Sequence, residues 1–154
     1  MDEQRLVQTA KALVTEGKGI LAADESSGTI KRRFDSINVE STEKNRRDYR
    51  EMLFRTDGVA EFISGVILFD ETIRQDGADG TRMVKILSDQ GIIPGIKVDT
   101  GTVPLPEAPD ELVTEGLDGL RNRLKEYEEL GAGFTKWRAV ISISENTPTS
   151  YGLN

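Results

Sequence analysis

The stretch that decides the fold of this chain is GILAADESSG, residues 19–28. Its first five residues form a short apolar run that predicts a buried β-strand, and two carboxylates, Asp24 and Glu25, follow at the carboxyl end of that strand. Ser26-Ser27-Gly28 then predicts a turn that leads into a helix. Because α/β proteins place their chemistry at the carboxyl ends of buried strands, this segment is the first candidate for a functional site.

Outward from this stretch, strands and helices are predicted to alternate. The predicted helices span residues 4–16, 27–37, 42–56, 81–91 and 117–130. The predicted strands span residues 19–24, 64–71, 91–99 and 134–143. Strands that are separated by helices pair in parallel through right-handed crossovers, so both an open doubly wound sheet and a barrel satisfy the pattern.

Prolines and glycines mark the irregular parts of the chain. Pro94 and Gly95 predict a bend or bulge within the third strand. Residues 101–111 hold three of the five prolines and are predicted to form an irregular loop. Thr147-Pro148 is predicted to begin a last helix.

Composition excludes several classes of protein. A chain of 154 residues with 36% hydrophobic and 31% charged residues fits one soluble globular domain. It has no apolar run of membrane-spanning length, and its acidic, amphipathic N-terminus does not resemble a secretory signal. With no Cys and no His, the usual zinc sites are excluded, whereas a magnesium ion bound by carboxylates is not.

The net charge of −7 argues against a nucleic-acid partner and against an anionic membrane partner. An anionic ligand would therefore need a local positive pocket. Two predicted strands supply cations for such a pocket. Side chains alternate along a strand, so Lys97 and Asp99 share one face of the third strand, and Lys136 and Arg138 share one face of the fourth. Burying an unpaired ammonium costs roughly several kcal/mol. The sequence therefore predicts a cluster in which these cations are paired with carboxylates, including Asp24. Trp137, between the two cations, is predicted to face the helical layer.

Two interpretations of these polar residues stay open on spacing alone. Asp24 is either a site carboxylate or a strand-end residue that caps the following helix. The lysines and Arg138 form either a functional cluster or a structural ion-pair network. Asp70 and Glu71, after the second strand, are predicted to be a helix cap and a loop residue.

Six segments carry a resemblance to a known family: GKGILAADES, TEKNRRDYR, SGVILFDET, GIKVD, TEGLDGL and FTKWR. They closely resemble segments of the class I fructose-bisphosphate aldolases, lyases of glycolysis that work through a lysine Schiff base without a metal or other cofactor. The segments occur in family order, at similar separations, over nearly the whole chain. The resemblance implies a TIM (β/α)8 barrel whose first four βα units make up residues 1–154, a single N-terminal part that stops at the start of the fourth barrel helix.

The resemblance also implies roles for the strand-end residues. Asp24 matches the carboxylate that takes part in proton transfer and C–C bond cleavage. Lys97 matches the active-site lysine of the third strand, and Lys136 and Arg138 match the fourth-strand pair that supports the Schiff-base chemistry and binds substrate. Lys136 lies early in the predicted fourth strand, whereas barrel sites lie at the carboxyl ends of strands. Either that strand begins earlier, or Lys136 reaches upward from deep in the barrel.

A second set of residues matches the family's substrate-phosphate contacts. Ser26 and Thr29 are implied hydroxyl donors, and Thr29 stands where many members of the family have Ser. Arg33 matches a substrate-binding arginine, and Arg46 matches a second basic residue linked with phosphate. The alternative for Arg46 is a solvated helix face.

The family's Schiff-base lysine, the glutamates of the next strand and the later phosphate-binding loop belong to the second half of the barrel, and this sequence does not contain them. We therefore expect a truncated chain that does not by itself convert fructose 1,6-bisphosphate to dihydroxyacetone phosphate and glyceraldehyde 3-phosphate. The expected partner is a sugar bisphosphate, the expected location is the cytoplasm, and the full-length parent is expected to be a homo-oligomer. Two other functions stay open: a half-barrel that assembles with a second chain, and a non-catalytic sugar-phosphate binding module.

Overall fold

The computed structural model of the protein describes residues 3–153. Helices and strands alternate along it. The helices are α1 (Glu3–Leu13), α2 (Ser27–Asp35), α3 (Glu43–Phe54), α4 (Val59–Phe62), α5 (Asp70–Arg74), α6 (Met83–Ser88), α7 (Leu120–Glu129) and α8 (Ser150–Leu153). The strands are β1 (Gly19–Ala23), β2 (Ile63–Leu68), β3 (Ile93–Lys97), β4 (Gly101–Leu105), β5 (Ala108–Glu115) and β6 (Phe134–Lys136).

Four of the strands form one parallel sheet in the order β1-β2-β3-β6, which confirms the predicted α/β pattern. Ala23 pairs with Leu68, Leu68 pairs with Ile96, and Lys97 pairs with Lys136. The carboxyl ends of all four strands therefore lie at one edge of the sheet. Residues that follow these ends, such as Asp24, are brought together by the register alone.

The core lies between this sheet and the helices that cover one of its faces. Alternate residues of β2 and β3 point into it, and α3, α5, α6 and α7 supply the opposite wall. Its most deeply buried apolar side chains are Phe54, Leu68, Ile73, Met83, Leu87 and Ile96. Burial of this apolar surface is the main force that holds the helices on the sheet.

The first strand is where it was predicted, but it is not buried. In β1 only Ala23 is buried, and Gly19, Ile20 and Ala22 are exposed. Ile20 and Ala22 lie on the face of the sheet that the helices do not cover, and β1 also has only one neighbouring strand, β2, among residues 3–153. A continuous apolar run is typical of a strand covered on both faces, and here only one face of β1 is covered.

The third strand pairs with β2 without a bulge, so the predicted bulge at Pro94 and Gly95 is wrong. Its pairing with β2 runs without a shift from Gly65–Ile93 to Leu68–Ile96. Gly95 instead allows a close approach, since a Cβ atom at this position would lie 2.3 Å from Cζ of Phe134. A glycine in a strand often marks such a contact rather than a bulge.

Residues 101–115 form an antiparallel hairpin, so the predicted loop is wrong as well. Strands β4 and β5 pair from Gly101–Glu115 to Leu105–Ala108. Pro106 and Glu107 make the turn, with Glu107 in the left-handed region at φ 62°. Both strands of a two-stranded sheet are edge strands, which tolerate proline, and this is why proline content misled the prediction.

The last predicted strand ends earlier than expected, and the last helix begins later. Strand β6 ends at Lys136 instead of residue 143, because its neighbour β3 ends at the paired residue Lys97. The last helix begins at Ser150 and not at Thr147 or Pro148. The helix before β6 begins at Leu120 instead of residue 117, because Gly119 precedes it with φ 67°.

Candidate active site at the carboxyl ends of the strands

An open cleft of about 830 Å³ lies over the carboxyl ends of β1, β2, β3 and β6. Seven of the eight predicted site residues line it: Asp24, Ser26, Thr29, Arg33, Lys97, Lys136 and Arg138. A second cavity, of about 720 Å³, is bounded largely by apolar side chains of α1, α7 and β6 and contains none of the eight. The polar cleft is therefore the candidate site.

Asp24 and Lys136 form the central pair of the cleft. The Lys136 ammonium donates to Oδ2 of Asp24 at 2.7 Å, across 112 positions in the chain. Their side chains are 11% (Asp24) and 28% (Lys136) exposed, so both are partly shielded but reachable from the cleft. Lys136 is the last residue of β6, so it stands at the carboxyl end of its strand, where barrel sites lie.

Lys97 is tied to Asp99, two residues further along the chain. The Lys97 ammonium donates to the Asp99 carbonyl oxygen at 2.7 Å and to its carboxylate. The other carboxylate oxygen of Asp99 accepts from the Arg138 amide at 3.3 Å. Burial works against the charge of Asp99, but the hydrogen bond and charge of Lys97, the Arg138 amide and the charge of Lys136 together outweigh it and hold the pKa of Asp99 below its ordinary value. Asp99 thus links the end of β3 to the segment after β6.

The turn from β1 into α2 forms one wall of the cleft. Ser26 is the N-cap of α2, and its hydroxyl oxygen lies 3.3 Å from the hydroxyl oxygen of Thr29. Arg32 also donates to the Thr29 hydroxyl, at 3.2 Å. The guanidinium of Arg33 pairs with the Glu25 carboxylate, and the Arg33 side chain is 58% exposed. This wall offers hydroxyl donors and a cation, which are the groups that bind phosphate oxygens.

Arg46 is the one predicted site residue that lies outside the cleft. It forms a two-pronged ion pair with Glu71, with nitrogen–oxygen distances of 2.8 and 2.6 Å, and donates to the Ser41 carbonyl at 2.6 Å. The hydrogen bond to Glu71 raises the pKa of Arg46. The solvated-face alternative is wrong, because the Arg46 side chain is only 16% exposed. Glu71, predicted as a loop residue, lies in α5 and fixes α3 against it.

Sequence reasoning missed one buried cation beneath the cleft. Arg50 is 2% exposed, and it donates to the carbonyl oxygens of Ala23 at 2.8 Å and Glu25 at 3.0 Å. Burial lowers the pKa of Arg50, and the charge of Glu25 partly offsets this. One signal could have found it, since Arg46, Arg50 and Phe54 are spaced by four and share a helix face.

A second network, at the rim of the cleft, was also missed. The Tyr127 hydroxyl donates to Oδ1 of Asp70 at 2.9 Å, and Nε of Arg74 donates to the same oxygen at 3.0 Å. Burial opposes the charge of Asp70, but these two donors hold the pKa of Asp70 below its ordinary value. Burial, together with Asp70, raises the pKa of Tyr127. Asp70 therefore joins α5 to α7, and the prediction that it caps a helix is wrong, because the N-cap of α5 is Phe69.

The cleft can thus bind an anion and support proton transfer. It offers a carboxylate beside an ammonium at Asp24 and Lys136, and further cations at Arg33, Lys97 and Arg138. In residues 3–153, no group of His, Cys, Asp and Glu side chains is arranged to hold a metal ion. Within the same residues, no helix has both the length and the apolar composition needed to cross a bilayer.

Comparison with known proteins identifies the family. The family model of class I fructose-bisphosphate aldolase matches residues 5–154. A probable fructose-bisphosphate aldolase class 1 of Xanthomonas campestris is 58% identical over 97% of this chain and 45% of its own length. A Toxoplasma gondii protein named fructose-bisphosphate aldolase 1 is 54% identical, and an Arabidopsis thaliana protein named fructose-bisphosphate aldolase 4, cytosolic, is 52% identical. They match over 97% of this chain and over 42% and 38% of their own lengths, respectively.

A solved structure agrees with these relatives. The fructose-bisphosphate aldolase of Plasmodium falciparum, in a ternary complex with TRAP and a small-molecule inhibitor, superposes with a TM-score of 0.95 at 51% identity. The match covers 97% of this chain and 44% of that one. The chain spans less than half the length of the relatives that it matches, and it corresponds to their N-terminal part. The chain belongs to the class I fructose-bisphosphate aldolase family, and its fold is that of the first four βα units of the aldolase TIM barrel.

Proposed function

We propose that this chain supplies one half of the active site of a class I fructose-bisphosphate aldolase. The complete enzyme would reversibly cleave fructose 1,6-bisphosphate to dihydroxyacetone phosphate and glyceraldehyde 3-phosphate through a lysine Schiff base. The observation that carries this proposal is the convergence of Asp24, Lys97, Lys136 and Arg138 on one cleft in a chain of this family.

The pairing of Asp24 with Lys136 supports an acid–base role for the two residues. In the complete enzyme, a lysine amine condenses with the ketose carbonyl and releases water, and the iminium then accepts the electron pair of the C3–C4 bond. The proton of the C4 hydroxyl must leave as that bond breaks. A carboxylate held at 2.7 Å from an ammonium has the geometry to take this proton or to orient the group that does.

The remaining cations support the binding of two phosphate groups. Lys97 and Arg138 follow neighbouring strands, and Arg33 stands with Ser26 and Thr29 on the opposite wall. In residues 3–153, the Arg138 guanidinium has no carboxylate within ion-pair distance, so it is available to an anionic ligand. A protein with a net charge of −7 needs such a local positive region to attract a bisphosphate.

We infer further that residues 1–154 do not form the Schiff base themselves. Both lysines of the cleft donate their ammonium hydrogens to aspartates, which supports a role as hydrogen-bond donors rather than as nucleophiles. Incubation with dihydroxyacetone phosphate and borohydride should leave no covalent adduct, as judged by mass spectrometry of the intact chain. An adduct on Lys97 or Lys136 would contradict this inference.

A chimera tests the catalytic proposal. In it, this chain replaces the matching N-terminal part of the Xanthomonas campestris relative, with which it shares 58% identity. The chimera should cleave fructose 1,6-bisphosphate in a coupled assay, and borohydride should trap an adduct on a lysine of the relative's portion. A folded chimera without cleavage activity would overturn the proposal.

A second candidate function, binding without turnover, is favoured by the fact that the implied phosphate-binding residues other than Arg46 lie in one cleft of this chain. Isothermal titration of residues 1–154 with fructose 1,6-bisphosphate distinguishes the two. Saturable binding by the chain combined with an inactive chimera would favour the binding module.

We also propose that the protein acts in the cytoplasm as part of a homo-oligomeric aldolase. Two Arabidopsis thaliana relatives carry the word cytosolic in their names, which supports the location. Cell fractionation with an antibody against the chain tests the location, and light scattering of the chimera tests the assembly.

A further inference from the structure

We propose that Arg50 is a positioning residue of the cleft, which fixes Asp24 through the backbone on either side of it and fixes Arg33 through Glu25. This proposal rests on the proposed function, because it concerns the same cleft. It assigns a role to a side chain that lies beneath the cleft and does not line it.

The hydrogen bonds and the ion pair of Arg50 all go to the end of β1. From α3, its Nε donates to the Ala23 carbonyl at 2.8 Å and its Nη2 to the Glu25 carbonyl at 3.0 Å. These carbonyls belong to the residues immediately before and after Asp24. One rigid guanidinium therefore holds both neighbours of the carboxylate that pairs with Lys136.

A second route runs through the Glu25 side chain. Nη2 of Arg50 lies 2.9 Å from Oε2 of Glu25, and the other oxygen of that carboxylate accepts from Arg33. Glu25 is 8% exposed at its side chain, whereas Arg33 is 58% exposed. The buried pair of Arg50 and Glu25 thus holds the Arg33 guanidinium in place, while the rest of the Arg33 side chain stays accessible to a ligand.

Stability alone gives a poor reason for burying Arg50. Burial lowers the pKa of Arg50, which reflects the cost of removing its charge from water. Replacing a buried ion pair with apolar residues is often neutral or stabilising. Phe54, one turn further along α3, shows that this helix face accepts a large apolar side chain.

The test compares Arg50→Lys with a matched control, Arg47→Lys, in the full 154-residue chain. Arg47 lies on the same helix, and its hydrogen bonds go to its neighbour Asp48. Two readouts are taken: the Kd for fructose 1,6-bisphosphate by titration calorimetry, and the rate at which an acetylating reagent modifies Lys136, by mass spectrometry. Circular dichroism and urea unfolding establish that each variant is folded.

Lysine keeps the positive charge, but its single ammonium nitrogen does not reproduce the two fixed nitrogens with which Arg50 reaches the Ala23 and Glu25 carbonyls. Arg50→Lys should therefore raise the Kd by about tenfold, because misplaced binding groups lose much of their effect. It should also speed the acetylation of Lys136 severalfold, since a mobile Asp24 shields Lys136 less. Arg47→Lys should leave both values near those of the wild type. A folded Arg50→Lys chain that matches Arg47→Lys in both readouts would overturn the proposal.

A second variant, Glu25→Gln, separates the two routes and decides the matter if Arg50→Lys does not fold. It keeps the bonds from Arg50 to the backbone but weakens the link to Arg33. The Kd should rise while Lys136 acetylation stays unchanged, and an unchanged Kd would overturn the route through Glu25. If the wild-type chain does not bind the bisphosphate, the binding proposal fails, whereas Lys136 acetylation still reports on Arg50.

Discussion

At the scale of single residues, three of the predicted cations of the cleft have carboxylate partners, whereas Arg138 has none among residues 3–153. Lys136 pairs with Asp24, Lys97 with Asp99, and Arg33 with Glu25. A buried or half-buried charge is costly unless it is compensated, and each pair meets that requirement locally. Such pairing lets a chain with an excess of acidic residues keep several cations at one edge of its sheet.

Much of this chemistry could be predicted, because it lies at strand ends. The alternation of side chains along each strand predicts on which face of the sheet Lys97 and Lys136 lie. Parallel pairing then places the carboxyl ends of the strands side by side. Arg46 shows the limit. Its partner Glu71 lies 25 positions away in a short helix, and no local pattern indicates that contact.

The pair formed by Asp24 and Lys136 leads to a first prediction. In the chimera, Asp24→Ala or Lys136→Ala should each lower the cleavage rate by about a hundredfold or more. Each should also lower the free energy of unfolding, because it leaves a largely shielded charge without its partner, but the loss of rate should be the larger effect. The double variant should lose little more than the more damaging single variant, because the two residues act as a unit.

Steady-state kinetics of the four proteins measures this coupling. Lys85→Ala is the matched control, since Lys85 forms an exposed ion pair with Asp89 on α6, outside the cleft. Near-normal turnover of Asp24→Ala or of Lys136→Ala would remove that residue from the proposed catalytic set.

Asp99 leads to a second prediction, on stability and pH. Its pKa in the folded chain is below its ordinary value, so its charge stabilises the fold above the unfolded-state pKa of about 3.9, and this contribution is lost as the pH falls through the folded-state value. Asp99→Asn should lower the free energy of unfolding at pH 7 by about 1–3 kcal/mol. The difference from the wild type should shrink below about pH 4.

Urea unfolding of both chains at pH 7 and pH 3 gives the comparison. Asp89→Asn serves as the control, because the Asp89 side chain is 57% exposed and should contribute less. A loss of stability for Asp99→Asn that is as large at pH 3 as at pH 7 would show that the charge of Asp99 is not the cause.

At the scale of elements, the parallel strands were predictable and the hairpin was not. Apolar runs bounded by glycines and carboxylates identify β1, β2 and β3 directly. The pairing of β4 with β5 depends on two segments that flank Pro106 and Glu107, and the prolines hide their alternation. The end of β6 was equally hidden, because it is set by where its neighbour ends.

The contact between β3 and β6 leads to a third prediction. Gly95→Ala should lower the free energy of unfolding by about 1–3 kcal/mol, because the added methyl group would overlap the Phe134 ring. Shortening the ring side chain with Phe134→Leu in the same chain should recover part of this loss. Urea unfolding measures both effects.

Gly19→Ala is the matched control, because a Cβ atom at that strand position meets nothing within 4 Å. It should change the stability by no more than about 0.5 kcal/mol. Equal effects of Gly19→Ala and Gly95→Ala would indicate that loss of glycine itself, and not the contact with Phe134, is responsible.

At the scale of the whole molecule, the two faces of the sheet differ. Helices cover one face and form the core, whereas Ile20 and Ala22 on the other face of β1 are exposed. In a complete barrel this second face points inward and is packed with side chains. The asymmetry fits a chain that spans less than half the length of its relatives.

This asymmetry leads to a fourth prediction. The isolated chain should associate as its concentration rises, because an exposed apolar edge strand promotes pairing between chains. Ile20→Lys should reduce the association, as measured by static light scattering over a range of concentrations. The control Ile37→Lys changes a side chain that is 65% exposed but lies beyond α2, away from the sheet. Equal effects of the two changes would indicate general solubility rather than strand pairing.

The short length of β6 has a consequence for how this family can vary. Lys136 is the Cα partner of Lys97 in the sheet. Lys136 and Arg138 line the cleft, whereas Trp137, the residue between them, does not. Deleting one residue between Gly133 and Thr135 would shift the alternation of side chains along β6 by one position. The Trp137 indole would then replace the Lys136 ammonium beside Asp24. Homologous genes should therefore accept exchanges of amino acids in this stretch more readily than insertions or deletions of a single codon.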